Sequence, residues 1–232
     1  MRFDSAYRVI VAAAMALAAP QPAVAQAAPT SAERAAYSGV FAAAARGDVA
    51  EVERLVGAGE RIDARDGHGR TPLHIATFLR RRDAMRALVR AGADPNGLDR
   101  DRYDIVTIAA VADDVATLAT ALDIGCSAAN VTSPYDGTAL IAAAHLGHDE
   151  VVRMLIRAGA PLDHVNNLGW TAVIESIVLG DGGARHQATL RALVDAGANV
   201  NIADRSGSTP LALARSRGYR AMVEMLTKAG AR

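Results

Sequence analysis

The sequence predicts an all-α protein built as a linear stack of short helical hairpins, and two regularities predict it. A stop signal recurs at Gly59, Gly92, Gly125, Gly159, Gly197 and Gly230, with successive spacings of 33, 33, 34, 38 and 33 residues. A start signal keeps the same step, at Thr71-Pro72-Leu73-His74, Thr138-Ala139-Leu140, Thr171-Ala172-Val173 and Thr209-Pro210-Leu211. Between each start and stop lie two short apolar-periodic segments broken in the middle, as in 138–146 and 150–157. A hairpin of this size cannot bury its own apolar face, so each needs neighbours on both sides.

The first 25 residues read as a separate object. Arg2 and Arg8 precede an apolar run, 9–19, too short to span a bilayer, and Ala23-Val24-Ala25 offers a small-residue cleavage site. We expect a secretory signal peptide cut after Ala25, with Ala27 the weaker choice; the plainer reading is a disordered leader. Export would place the protein in the periplasm or outside the cell. Removing the leader takes two basic residues and one acidic one, leaving 23 basic (25 − 2) against 24 acidic (25 − 1) residues, about −1 overall. That balance gives no bulk attraction to nucleic acid or an anionic membrane.

Residues 26–33 read as a linker, followed by hairpins at about 34–66, 67–99, 100–132, 133–166, 167–204 and 205–232. The first lacks the Thr-Pro-Leu start, as an end unit facing solvent can. The second carries Arg80-Arg81-Arg82 with Arg86 and Arg90, either a solvated outer edge or a site for an anion or acidic partner. The third is the most divergent, with Asp104-Ile105-Val106-Thr107 as its start and Asp113-Asp114 between its helices. Its Cys126 is the only cysteine and has no internal disulfide partner. The fifth breaks the period: an insertion of about five residues, Gly180-Asp181-Gly182-Gly183-Ala184-Arg185-His186-Gln187, separates its helices. The sixth closes on Gly230 with Lys228 and Arg232 as a basic last turn.

Thr71-Pro72-Leu73-His74-Ile75-Ala76, on a period of about 33 residues, resembles the ankyrin-repeat family letter for letter. The resemblance covers roughly residues 34–232 and implies an ankyrin solenoid of six repeats with hairpin-like fingers. Thr caps the helix, Pro fits its first turn, and Gly closes the second helix. Family likeness gives the His74 ring a hydrogen bond to the neighbouring turn. The Asn167-Leu168-Gly169-Trp170-Thr171-Ala172 segment with the Gly180-Asp181-Gly182-Gly183 insertion further resembles an exported bacterial subfamily.

Enzymatic and metal chemistry find little to stand on. Gly180-Asp181-Gly182-Gly183 follows a helix instead of opening one after a strand, so it is neither a P-loop nor a dinucleotide fingerprint. One loop carboxylate is too few for calcium. His145, His148, His164 and His186 make a metal site only if stacking brings four rings together. No nucleophile sits on a strained turn. What the resemblance implies is a non-catalytic scaffold, monomeric and without cofactor, that binds another protein on its concave face. The expected contacts are finger and inner-helix residues His68, Arg70, Phe78, Arg102, Tyr103, Tyr135, His145, His164, Trp170 and Glu175. To these is added the inserted loop, with Asp181, Gly182, Gly183, Arg185 and His186. Glu175 is alternatively a side chain bonded to that loop, because a charge beside an apolar stripe needs a partner. Rival readings are a small-ligand or metal-binding protein centred on Gly180–His186, and a self-associating structural repeat protein.

Overall fold

A computed structural model describes residues 26–232; the expected signal peptide lies outside these residues. Among them are thirteen helices and no strand beyond one isolated bridge, Thr132 to Gly137. A first helix, α1 (Ser31–Ala36), precedes six pairs: α2 (Gly39–Arg46) with α3 (Val49–Gly57), α4 (Pro72–Phe78) with α5 (Arg82–Arg90), and α6 (Ile105–Val111) with α7 (Val115–Asp123). Then come α8 (Ala139–Leu146) with α9 (Asp149–Arg157), α10 (Ala172–Val178) with α11 (Ala184–Asp195), and α12 (Pro210–Ser216) with α13 (Arg220–Lys228). The first helices of the pairs pack side by side in one row and the second helices in another.

Why each first helix starts where it does is local chemistry. Thr71, Thr138, Thr171 and Thr209 are extended N-caps whose hydroxyls accept the amides of His74, Ile141, Ile174 and Ala212. In the divergent third repeat Asp104 takes this place, its carboxylate accepting the Thr107 amide at 2.7 Å. Asp is as good a cap as Ser or Thr, so the departure from Thr-Pro-Leu-His leaves the start intact. Asp114 likewise caps α7 through the Thr117 amide.

The core repeats as rungs. Ala43, Ala76, Ala109, Ala143, Ser176 and Ala214 hold one position of the first helices and are fully buried, which lets neighbouring backbones approach closely. Leu73, Val106, Leu140, Val173 and Leu211 form a second rung. Val52, Met85, Leu118, Val152 and Leu190 form a third on the second helices. Each such aliphatic side chain contributes about 1.5–3 kcal/mol on burial, shared between its own hairpin and the adjacent repeats.

Two sequence expectations change here. Residues 31–33, expected in a linker, are the first turn of α1, closed by a capping box between Thr30 and Glu33. The inserted segment after α10 is not a long loop: its last four residues, 184–187, open α11, which runs 12 residues where α9 and α13 have 9, leaving only a tight turn at 180–183.

Candidate partner-binding face

Each finger is built around one side-chain acceptor. Oδ1 of Asp66 accepts the His68 and Arg70 amides, Asp99 those of Asp101 and Tyr103, and Asn166 those of Leu168 and Trp170. Asp204 does the same for Ser206 and Ser208, and the Ser133 hydroxyl for Tyr135 and Gly137. Such turns mimic a backbone turn. Adjacent fingers are then joined by main-chain bonds, Arg100 N–H to His68 O (3.0 Å), Ser133 N–H to Arg102 O (2.9 Å) and Asn167 N–H to Tyr135 O (2.9 Å). The buried His74 ring adds the expected tie. Burial pushes its pKa below the ordinary histidine value, its Nδ1 accepts from Thr71, and Nε2 donates to the Tyr103 carbonyl at 3.1 Å. The fingers therefore form a rigid rim beside the first-helix row.

Of the expected contacts, His68, Arg102, Phe78, Tyr135, His145, His164 and Trp170 lie exposed or half-buried on this rim and row. His68 is within 3.2 Å of Glu33, Arg102 pairs with Asp136 at 2.5 Å, and His164 Nε2 meets the Asp136 carbonyl at 2.6 Å.

Three of the expected contacts are corrected. Arg70 is 1 % exposed, because the chain ahead of the first pair folds over it. Its guanidinium donates to Asp66 (2.7 Å), Glu33 (2.7 Å), the Tyr37 hydroxyl (3.1 Å) and the Ala27 carbonyl (2.6 Å). Tyr103 is buried, its main chain fixed between Asp99 and His74. Glu175 is 4 % exposed and is bonded not to the inserted turn but to Asn166 Nδ2, at 3.0 Å. Its second oxygen lies 3.4 Å from His145 Nδ1 without a hydrogen bond among the described residues, so the carboxylate ties its finger to its own first helix and sits beside the preceding one.

The inserted segment is also structural in its geometry. His186 Nε2 donates to the His145 carbonyl at 3.0 Å and Nδ1 faces Asp181 at 2.8 Å. The Gly183 amide and then His186 hold the Asp181 carboxyl below the usual carboxylate range. Arg185 reaches back over a whole repeat to Asp113, at 2.7 Å. Gly180 and Gly182 leave no room for side chains: a Cβ would lie 2.2 Å from the Ser176 carbonyl and 2.5 Å from the Tyr219 ring, respectively.

A recurring strap emerges that sequence reading missed. Near the start of the second helices, Arg81 donates to Ala45 O, His148 bonds Ala110 O, His186 bonds His145 O, and Tyr219 donates to Gly180 O, at 2.9–3.1 Å. The first three satisfy a carbonyl in the last turn of the preceding repeat's first helix, where no intrahelical partner exists, and Tyr219 holds the inserted turn at Gly180. The four histidines considered for a metal are thus engaged separately, and among the described residues no group of three or more ligating side chains is placed to hold one. Of the arginine run, Arg80 pairs with Asp114, Arg86 with Asp83 and Asp123, and Arg90 with Glu53.

A repeated helical pair, a finger joined to the next finger, and an open face between them define a repeat scaffold. The family profile for ankyrin repeats (three copies) matches residues 23–99 and 106–204. The chain belongs to the ankyrin-repeat family. A solved ankyrin repeat domain from Acinetobacter baumannii AYE is 42 % identical, covering 83 % of this chain and 98 % of that one, with a TM-score of 0.78. The putative ankyrin repeat protein YahD of Escherichia coli K12 is 32 % identical over 194 residues, 82 % of this chain and 94 % of its own. The ankyrin repeat domain of Bcl-3, a member of the IkappaB protein family, is 29 % identical with a TM-score of 0.76, covering 85 % of this chain and 88 % of that one. Among the described residues no helix is long and apolar enough to cross a membrane.

Proposed function

We propose that this protein is a non-catalytic, monomeric scaffold that binds another protein along the fingers and first helices, acting in the periplasm after removal of residues 1–25. The observation that carries the reading is the division of labour on this face. The buried polar groups are taken up by the frame, Arg70 and His74 in joining neighbouring segments, Asp99 in closing its own finger and Glu175 in holding Asn166, while Phe78, Tyr135, His145 and Trp170 stay half-exposed on it. Aromatic side chains clustered on one face are the composition of binding hot spots. Kinship with other ankyrin-repeat proteins supports it.

The test is affinity capture from periplasmic extract with wild type and Trp170→Ala. The reading expects a partner whose recovery falls at least tenfold with Trp170→Ala. Equal recovery removes Trp170 from the interface, and absence of any saturable partner overturns the reading. Cell fractionation with amino-terminal sequencing tests export: a periplasmic chain beginning at Gln26 is expected, and a cytoplasmic chain retaining Met1 contradicts it.

A further inference from the structure

At the N-terminal end of the same face, α1 stands beside α2 and leaves a shallow, open groove of about 490 Å³. Its charged lining is one-sided. Arg34 from α1, Arg46 from the end of α2 and Arg81 from the turn before α5 line it with Ser31, and among the described residues no carboxylate does. Ala35, Ala42, Ala45 and Leu79 supply its apolar part, beside Tyr37.

The three guanidiniums are little used by the protein. Among the described residues Arg34 bonds only the Ser31 hydroxyl, at 3.1 Å. Arg46 has one loose contact, 3.8 Å to an Asp48 that is engaged in capping α3. Arg81 spends only Nε, on the Ala45 carbonyl, and its stem lies across Gly47, whose absent Cβ would sit 3.0 Å from Arg81 Cδ. Among the described residues neither terminal nitrogen has a protein acceptor. Nearby carboxylates are turned to other work: Glu33 and Asp66 hold Arg70, and Glu60 accepts the Val40 amide.

We propose that this groove is the subsite for an acidic segment of the partner protein, taking two or three carboxylates on Arg34, Arg46 and Arg81 and a small apolar side chain against the alanines and leucine. The inference rests on the scaffold reading above and adds the partner's chemistry. Charge complementarity decides the occupant: three cations around alanine and leucine side chains repel a basic strand, give a neutral one no charge partner, and match glutamates flanking a leucine or valine. Planar guanidiniums take carboxylates in paired hydrogen bonds.

The experiment uses the secreted-length chain and fluorescence anisotropy of a labelled peptide in which glutamates flank a single leucine, beside its glutamine counterpart. The expected results are saturable binding of the glutamate peptide, at least tenfold weaker binding of the glutamine peptide, and weakening with salt. Arg34→Gln/Arg46→Gln, both on exposed side chains, should lose at least tenfold, and adding Arg81→Gln should abolish binding. Arg157→Gln/Arg191→Gln, which removes equal charge elsewhere on the surface, should leave it unchanged. Equal binding of the two peptides, or equal loss with the control pair, overturns the inference. Displacement of the peptide by inorganic phosphate or succinate at matching concentration would make the groove a free-anion site and would also overturn it. Should wild type ignore the glutamate peptide while Trp170-dependent capture persists, the subsite fails and the scaffold reading stands.

Discussion

Arg70→Met is the most informative single perturbation of the fold. The guanidinium is buried and holds Asp66, Glu33, Tyr37 and the Ala27 carbonyl together. Burial raises the Asp66 carboxyl, but the Arg70 side chain, the His68 amide and the Tyr37 hydroxyl outweigh it, and the net pKa lies below the ordinary value. Removing one member of a buried pair costs about 3–5 kcal/mol. Asp66 keeps two amide donors, so about 3 kcal/mol is expected. The only tryptophan, Trp170, is in the fifth repeat, and tryptophan fluorescence would miss an opening at the other end. Hydrogen exchange of residues 30–57 is the proper readout, and 3 kcal/mol corresponds to roughly a hundredfold faster exchange by local opening. Cleavage by trypsin after Arg34 should accelerate in parallel. Exchange within a factor of five of wild type would refute the assignment of Arg70 as the clamp. Acid should mimic the mutation. Glu33 is held at about 2 by the Thr30 amide and hydroxyl and then Arg70. Its folded pKa is depressed, so its contribution is present above about pH 4 and is lost as pH falls from there toward 2. Protection of residues 30–37 should fall in that window.

Three other predictions follow from particular contacts. Gly180→Ala forces a methyl against the Ser176 carbonyl and the His186 ring; a loss of about 1–3 kcal/mol in thermal unfolding is expected, and an unchanged midpoint would show that the inserted turn is not packed as described. Arg80 has φ 57°, in the connection where Gly47 and Gly147 hold the equivalent place. Arg80→Gly should raise stability by about 0.5–1 kcal/mol, left-handed backbone costing about 1–2 kcal/mol and an exposed ion pair to Asp114 returning little; a lower midpoint in urea would contradict this. Burial first, then Asp104, pushes the Cys126 thiol well above its usual value. Labelling by a thiol reagent at pH 8 should therefore be slow in the folded protein and fast in urea, whereas an immediate stoichiometric reaction would place the thiol at the surface.

The repeat itself was legible because each mark has a local cause. Thr71, Thr138, Thr171 and Thr209 cap helices in any context, and glycine ends them. The divergent third repeat was legible too, had Asp104 been read as a cap instead of as a broken motif. Thr30-x-x-Glu33 is a capping box visible in the letters, and reading 26–33 as a linker hid both α1 and the burial of Arg70. The rest depended on partners far along the chain. Glu175 is resolved by Asn166 and His145, Tyr103 by His74, and Arg185 by Asp113, at separations no local pattern encodes. The groove of Arg34, Arg46 and Arg81 draws one arginine from each of three helices or their ends. Only one of these, Arg81, belonged to the conspicuous arginine run.

The central claim, that one face of the stack receives another polypeptide, is tested most directly by site-specific photocrosslinking in intact cells. A benzophenone side chain would replace Val178 on the first-helix row or Arg157 on the second-helix row. The account predicts a discrete heavier adduct from Val178 and none from Arg157. Adducts of equal yield from both, or from Arg157 alone, would contradict it.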